Sequence, residues 1–173
     1  MTMFGANSGS ITEVPVDGIL DTGLIIIAHF DNPIQDIALE FLSEVFAGRT
    51  PLVIPLTVFV GAYHIMTRYL KVSRYLAKNA LSKTLELEYP LYHPAVEKET
   101  VLKALDISSV ENIEAWDGYL ISLARTYRTP NIYTIDMKLI RIPDIKVHCP
   151  IPAGDIERYH QWITEKIKER EPD

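Results

Sequence analysis

Three aspartates stand where an acid is hardest to keep. Asp21 closes the apolar run Ile19-Leu20-Asp21-Thr22, Asp136 closes Ile132-Tyr133-Thr134-Ile135-Asp136, and Asp117 interrupts the apolar face of a predicted helix. An acid at a buried position is costly unless something pairs with it. Three of them, each at the end or edge of a core element, point to one shared partner. A hard divalent cation such as Mg²⁺ serves best, because it takes few carboxylates, keeps several waters and coordinates phosphates. The matching chemistry is phosphodiester hydrolysis by metal-activated water. The sequence has no Gly-rich phosphate loop, no G-x-S-x-G and no H-E-x-x-H to support another mechanism. Each acid also has a structural reading. Asp117 could be a hydrogen-bonded acid at the rim of its face, Asp21 the N-cap of a helix over Leu24–Phe30, and Asp136 the cap of a short Met137–Ile140 segment.

The elements that must position these acids alternate. Ile19–Thr22 reads as a short buried strand, followed by a helix over Leu24–Phe30. Asn32-Pro33 signals a helix start, with Asn32 as N-cap and Pro33 at the first helical position. Ile34, Ile37, Ala38, Phe41, Leu42 and Val45 then recur at helical spacing until Gly48. Pro51–Pro55 is a second strand, apolar on both faces as in a parallel sheet. Leu56–Leu87 reads as two helices with a break near Lys71–Ser73. Tyr89-Pro90 and His93-Pro94 mark a loop, and Ala95–Leu105 a helix. Ser108-Ser109-Val110-Glu111 reads as a capping box opening a helix to Tyr127. On that helix Ile113, Trp116, Leu120, Ile121 and Ala124 form one face, with Asp117 inside the stripe. Ile132–Ile135 and Ile145–His148 are further strands. Asp155 is placed to cap a last helix, with Ile156, Tyr159, Ile163 and Ile167 as its stripe and Lys166, Lys168 and Arg170 in its final turns.

Strands separated by long helical stretches predict a parallel sheet with helices on both sides. In such a sheet ligands bind outside the carboxyl ends of the strands, where Asp21 and Asp136 fall. The 173 residues, 47% hydrophobic and 23% charged, suit one compact domain. The expected division is a flexible tail over residues 1–17, the main domain over 18–150, and an amphipathic helix over 151–173 packing on that domain. A net charge of −6 argues against nucleic-acid binding by overall charge, though not against a local basic surface. The single cysteine, Cys149, excludes an intrachain disulfide and fits a cytoplasmic compartment. Residues 1–10 carry no basic segment of a signal peptide, and Pro51–Met66, with two prolines, is too short to span a bilayer.

At these residues a family becomes recognisable. The chain resembles PIN-domain proteins, especially the toxin ribonucleases of VapC-type toxin–antitoxin pairs. Ile19-Leu20-Asp21-Thr22-Gly23-Leu24-Ile25 is similar to the family's opening strand "hLDTNhhI". Glu114 to Ala124 is similar to its "hxDxxIxxxA" helix, and Ile132 to Asp136 to its late "hhTxD" strand. The resemblance covers about Gly18 to His148. It implies a three-layer α/β/α sandwich with a short, mostly parallel sheet of four to five strands. It also implies a Mg²⁺- or Mn²⁺-dependent endoribonuclease with Asp21, Asp117 and Asp136 as metal-holding catalytic residues, a homodimer, and a small antitoxin partner. Thr22 and Thr134, beside the acids, become candidates for orienting a carboxylate or a metal-bound water.

Two positions depart from the family pattern. Its Asn after Asp-Thr is Gly23 here, and its usual fourth acid, a Glu early in the helix after the second strand, falls on Gly61. Three accounts of Gly61 stand open: a catalytically impaired PIN-like module that binds RNA or protein, a substitute acid such as Glu114, or a cloning change in an otherwise active toxin.

Arg68, Lys71, Arg74 and Lys78 recur at three- and four-residue spacing with Tyr69 and Tyr75 between them. On a helix this makes a basic stripe. It reads either as a solvated face or as an RNA-backbone surface near the acids. His29, His64, His93 and His148 have no mutual metal-ligand spacing, and His64, one turn after Gly61, is the one placed to face the cleft.

Overall fold

The computed structural model describes residues 15–168, with Ile167 by its backbone alone. Five strands form one sheet: β1 (Gly18–Leu20), β2 (Leu52–Pro55), β3 (Tyr92–His93), β4 (Asn131–Tyr133) and β5 (Lys146–His148). Their order is β3-β2-β1-β4-β5, and every neighbouring pair is parallel. Ile19 sits between Val53 and Ile132 across three strands. Among the described residues seven helices flank the sheet: α1 (Thr22–Ala28), α2 (Gln35–Phe46), α3 (Thr57–Arg68), α4 (Arg74–Leu85), α5 (Lys98–Glu111), α6 (Ala115–Thr126) and α7 (Ala153–Lys168).

Strand alternation explains why there are three layers. Successive side chains point to opposite faces. Leu20, Leu52 and Ile54 pack with the buried residues of α1, α2, α3 and α4, and with Tyr159 of α7. Ile19, Val53 and Ile132 pack instead with Ala104 and Ile107 of α5 and with Tyr119 to Ala124 of α6. Both faces are therefore apolar, which is why the strands read as continuous hydrophobic runs rather than alternating ones. The result is the expected α/β/α sandwich.

Several local expectations change in the folded chain. The stretch read as a loop around His93 contains β3, too short for a periodic signal; its pairing places Ile54 opposite Tyr92. Asn32 is not an N-cap. Its amide donates to the carbonyls of Ile27 and Phe30 and its oxygen accepts from Ile34 N–H, fixing the turn before α2, which begins at Gln35. Ser108-Ser109-Val110-Glu111 is no capping box either: it is the last turn of α5, which stops at Asn112 in a left-handed conformation. Ser108 Oγ instead donates to Ala104 and Glu114 carbonyls, joining α5 to the start of α6. Trp116, expected on the apolar face of α6, is 57% exposed. Asp155 lies inside the first turn of α7 and pairs with Arg158 at 3.0 Å. The final-turn expectation for Arg170, the side chain of Ile167 and residues 1–14 of the expected tail lie outside the described residues. Asp17 is already held, its N–H donating to Pro51 and its carbonyl accepting from Thr129 and Asn131.

Gly118 decides how α5 and α6 meet. A Cβ there would lie 2.2 Å from Ser108 Oγ and 2.3 Å from the Ala104 carbonyl oxygen. Only hydrogen fits, so the two helices come into backbone contact, and α6 is held with its N-terminus at the carboxyl edge of the sheet.

Candidate active site

The strand order reverses direction at β1 and β4, and the crevice of such a sheet opens outside the carboxyl ends of those strands. Asp21 directly follows β1. Its N–H donates to the Tyr133 carbonyl, so the β1–β4 ladder continues to the acid itself. Its carboxylate caps α1: Oδ1 accepts from Thr22 N–H at 2.6 Å, and Oδ2 accepts from Thr134 Oγ1 at 2.6 Å. Asp21 thus fills the N-cap role that its place before Leu24 allowed. Burial raises its pKa above the ordinary value, opposed by the bonds from Thr134, Thr22 and Gly23 and reinforced by Asp136.

Thr134 is the hinge pin of the arrangement. It is buried, and its one hydroxyl donates to Asp21 while accepting from Asp136 N–H at 2.9 Å. Asp136 then caps the 3₁₀ turn Met137–Arg141, accepting from Lys138 N–H at 2.9 Å, with Lys138 Nζ at 3.5 Å from the same carboxylate. The contact of Thr22 with the Asp21 carboxylate is through its N–H.

Asp117 enters from the other layer, in the first turn of α6, where the exposed N–H groups of the helix favour negative charge. It is half-buried, and its pKa is pushed up to about 6. Burial is the largest cause, followed by the repulsion of Asp21, Asp136 and Glu114; Lys138 pulls the other way. Fold geometry thus brings all three aspartates, from segments far apart in the chain, into one negative field. Glu114, exposed at the N-cap of α6, is at its margin.

Beside Asp117 opens a cleft of about 480 Å³ lined by Asn112, Ile113, Glu114, Asp117, Lys138 and Arg141. Lys138 and Arg141 are the site residues that sequence reasoning missed. The signal was their place in the turn directly after Asp136. Arg141 donates to the carbonyls of Glu111 and Asn112, closing the end of α5.

The donors are all carboxylate oxygens, which suits a hard cation. Yet among the described residues no three His, Cys, Asp or Glu side chains stand close enough together to form a ligand set. Asp21 and Asp136 are engaged by their own hydrogen bonds, while Asp117 makes none among the described residues.

The two departures from the family pattern have different physical standing. A Cβ at Gly23 would press on Ile135 Cγ1 at 3.0 Å, so a side chain there requires Ile135 to shift by a few tenths of an ångström. A Cβ at Gly61 would make ordinary contact with Thr22, at 3.4 Å to Cγ2 and 3.7 Å to Oγ1. Gly61 therefore faces the residue next to Asp21 and has no steric reason to be glycine.

The basic residues do not form one helical stripe. Arg68 ends α3, Lys71 sits in the connector with φ 56°, and Arg74 and Lys78 belong to α4. The backbone break separates what the spacing had joined. Arg68 and Lys71 line a groove of about 890 Å³ with His29, Phe30, Trp162 and Lys166. Arg68 is at the end of α3 away from Gly61, about 10 Å along the axis at 1.5 Å per residue. His29 bonds to Ile25 and Thr84, His93 to Tyr127, His148 to Asn131, and the exposed His64 packs its ring edge against Tyr69.

No protein-family model matches this chain, and no curated protein matches it. Among solved structures, a chain of a toxin–antitoxin complex from Klebsiella pneumoniae is similar in fold, with TM-score 0.51 at 15% identity. The match covers 78% of this chain and 98% of that one. Among the described residues no helix is long and apolar enough to cross a membrane. At that identity the likeness is one of fold: this chain has the α/β/α architecture of a chain found in a toxin–antitoxin complex.

Proposed function

We propose that this protein is a metal-dependent endoribonuclease of the PIN type, acting as the toxin of a toxin–antitoxin pair. The observation that carries the reading is the convergence of Asp21, Asp117 and Asp136 at the switch point of the sheet, where burial first, and then the charges of Asp21 and Asp136, push the Asp117 pKa up to about 6. The fold shared with a chain of a toxin–antitoxin complex supports the toxin role and a small protein partner.

Asp21, Asp117 and Asp136 would hold Mg²⁺ or Mn²⁺. Bound there, the cation supplies Lewis acidity toward a phosphodiester and makes water a better nucleophile. The chain's own residues do the rest. Thr134 fixes the Asp21 carboxylate and the Asp136 backbone with one hydroxyl, so two acids keep their spacing. Asp117, without such bonds, is the acid that adjusts. At neutral pH in the absence of cation it retains part of its proton, so a cation must displace that proton and binds more tightly as pH rises through about 6. Lys138 and Arg141 line the same cleft and offer positive charge to the RNA backbone.

A second reading, a catalytically impaired PIN-like module that binds RNA or protein, is favoured by Gly61 and by the lack of a closed ligand set among the described residues. The deciding experiment is cleavage of a mixed single-stranded RNA pool with Mn²⁺ or Mg²⁺, beside Asp117→Asn and Gly61→Glu proteins. Metal-dependent cutting lost in Asp117→Asn supports the nuclease. Cutting only by Gly61→Glu supports the impaired module. No cutting and no metal binding by any of them refutes the enzymatic reading.

A further inference from the structure

Helices α1 and α3 both start at the carboxyl edge of the sheet, after β1 and β2, and both run away from the acids. Their far ends, the start of α4 and the last turns of α7 enclose the groove of about 890 Å³. His29, the C-cap of α1, is about 12 Å from Asp21 along the axis at 1.5 Å per residue, so this groove is separate from the acidic cleft. One wall is aromatic and already set. Trp162 packs against Phe30 and Tyr159, with ring centroids 6.0 and 6.3 Å away, and both of those rings are buried. His29 adds no charge to it. Its ring nitrogens are taken by the Ile25 carbonyl and the Thr84 hydroxyl, and burial holds its pKa below the ordinary value.

The rim is cationic. Arg68, Lys71 and Lys166 line the groove against one acid, Asp31, in a chain whose net charge is −6. Among the described residues neither the Arg68 guanidinium nor the Lys71 ammonium has an ion-pair or hydrogen-bond partner. Lys71 also stands where the backbone disfavours it. Its φ of 56° is left-handed and lets the next residue, Val72, return its N–H to the Met66 carbonyl at 2.9 Å. Glycine is the usual residue at such a helix exit, and side chains held in strained backbone cluster at ligand sites. The backbone gives no reason for a lysine there; its ammonium at the groove does.

We infer that this groove binds a small amphipathic anion, a carboxylate, sulfonate or phosphate ester carried on a flat apolar body. The body lies against Trp162 and the anion meets Arg68 and Lys71. The volume is within the roughly 300–1,000 Å³ of small-molecule clefts, which pair apolar walls with a few convergent polar groups. A bare phosphate backbone would answer the cations and leave the aromatic wall unused, and a neutral apolar ligand would do the opposite. A molecule with both parts answers both, since a charge-assisted hydrogen bond strengthens beside a desolvated wall. The inference does not depend on the ribonuclease reading, and it gives Arg68 and Lys71 a role apart from the acids.

The test uses 8-anilinonaphthalene-1-sulfonate, an anion on an aromatic body. N-phenyl-1-naphthylamine is the same body without the charge, and inorganic phosphate is a charge without the body. The chain has two tryptophans, so Trp116→Phe leaves Trp162, on the groove wall, as the sole reporter. The sulfonate should quench Trp162 saturably, and the neutral amine and phosphate should each bind at least about tenfold more weakly. Lys71→Gly and Arg68→Gln should each weaken the sulfonate by about three- to tenfold. Lys71→Gly should melt no lower than wild type, because glycine adopts the left-handed backbone freely, so its lost binding is not lost fold. Lys78→Gln, on α4 but outside the groove lining, should bind as wild type does. No saturable quenching overturns the inference, as does binding undiminished in both groove variants. Equal affinity for the neutral amine means a plain apolar surface and also overturns it. Displacement of the sulfonate by single-stranded RNA, with RNA binding lost in the same two variants, would make the groove an RNA surface and overturn it too.

Discussion

Replacing Asp117 by asparagine should stabilise the metal-free protein, and the gain should depend on pH in one direction. The folded chain holds the Asp117 pKa at about 6 against an ordinary 3.8, so ionising it in the native state costs free energy. At roughly 1.36 kcal/mol per tenfold, that gap caps the cost near 3 kcal/mol. The side chain is only partly buried, and solvent screening reduces this to about 1–2 kcal/mol. Between pH 3.8 and about 6 the folded chain binds more protons than the unfolded one, so stability falls as pH rises through that window and levels off above it. Asparagine has no charge to repel. Thermal melts in EDTA should therefore place Asp117→Asn above wild type at pH 8 by about 2–8 °C, at about 2–4 °C per kcal/mol for a chain of this size. Below pH 4 the two should nearly coincide. Adding Mn²⁺ at pH 8 should reverse the order, because binding to the folded state stabilises it by RT ln(1 + [L]/Kd) and the variant has lost a ligand. An Asp117→Asn protein no more stable than wild type at pH 8, or equally advantaged at pH 4, would refute the claim that burial and the neighbouring acids make an ionised Asp117 costly in the folded chain.

Other outcomes follow from single contacts. Gly61→Glu introduces a side chain whose Cβ meets Thr22 only in ordinary contact, and should tighten Mn²⁺ binding by calorimetry at least about tenfold, at the order of 1.4 kcal/mol for one added charged ligand; unchanged affinity would mean that position 61 does not reach the site. Thr134→Val removes the hydroxyl that serves both Asp21 and Asp136, and should cost about 1–3 kcal/mol in urea unfolding. Gly118→Ala forces a methyl into the Ala104 carbonyl, and should lower stability by about 1–3 kcal/mol or more by the same measurement. Lys138→Ala should weaken RNA binding and reduce its salt dependence, read by titration at several salt concentrations, while Lys78→Ala, on α4, should change neither.

Much of the frame was legible because it is local. The apolar runs over Ile19–Leu20, Leu52–Ile54 and Ile132 identified sheet strands, since a parallel strand buried on both faces cannot be anything but apolar. The helix after Asp21, the stop at Gly48 and the break between α3 and α4 were equally plain, each set by a cap, a positive φ or a lost period. The acids could be picked out because a charge at the end of a core element is rare.

What the sequence could not decide depends on partners distant in the chain. β3 exists only because β2 offers it a ladder. Ser108 and Glu111 carry the letters of a capping box, but the close approach of α5 to α6 through Gly118 engages Ser108 elsewhere. The spacing of Arg68, Lys71, Arg74 and Lys78 promised one basic face, which the left-handed backbone at Lys71 breaks. Lys138 and Arg141 gained their place beside Asp117 from the turn after β4, not from any motif. The sequence by itself determined that three carboxylates sit at the rims of buried elements, since hydrophobic pattern and residue type are properties of the chain. Only the tertiary structure decided that they share one field, since electrostatic coupling depends on distance in space, and that distance is set by a parallel sheet whose strands lie far apart in sequence.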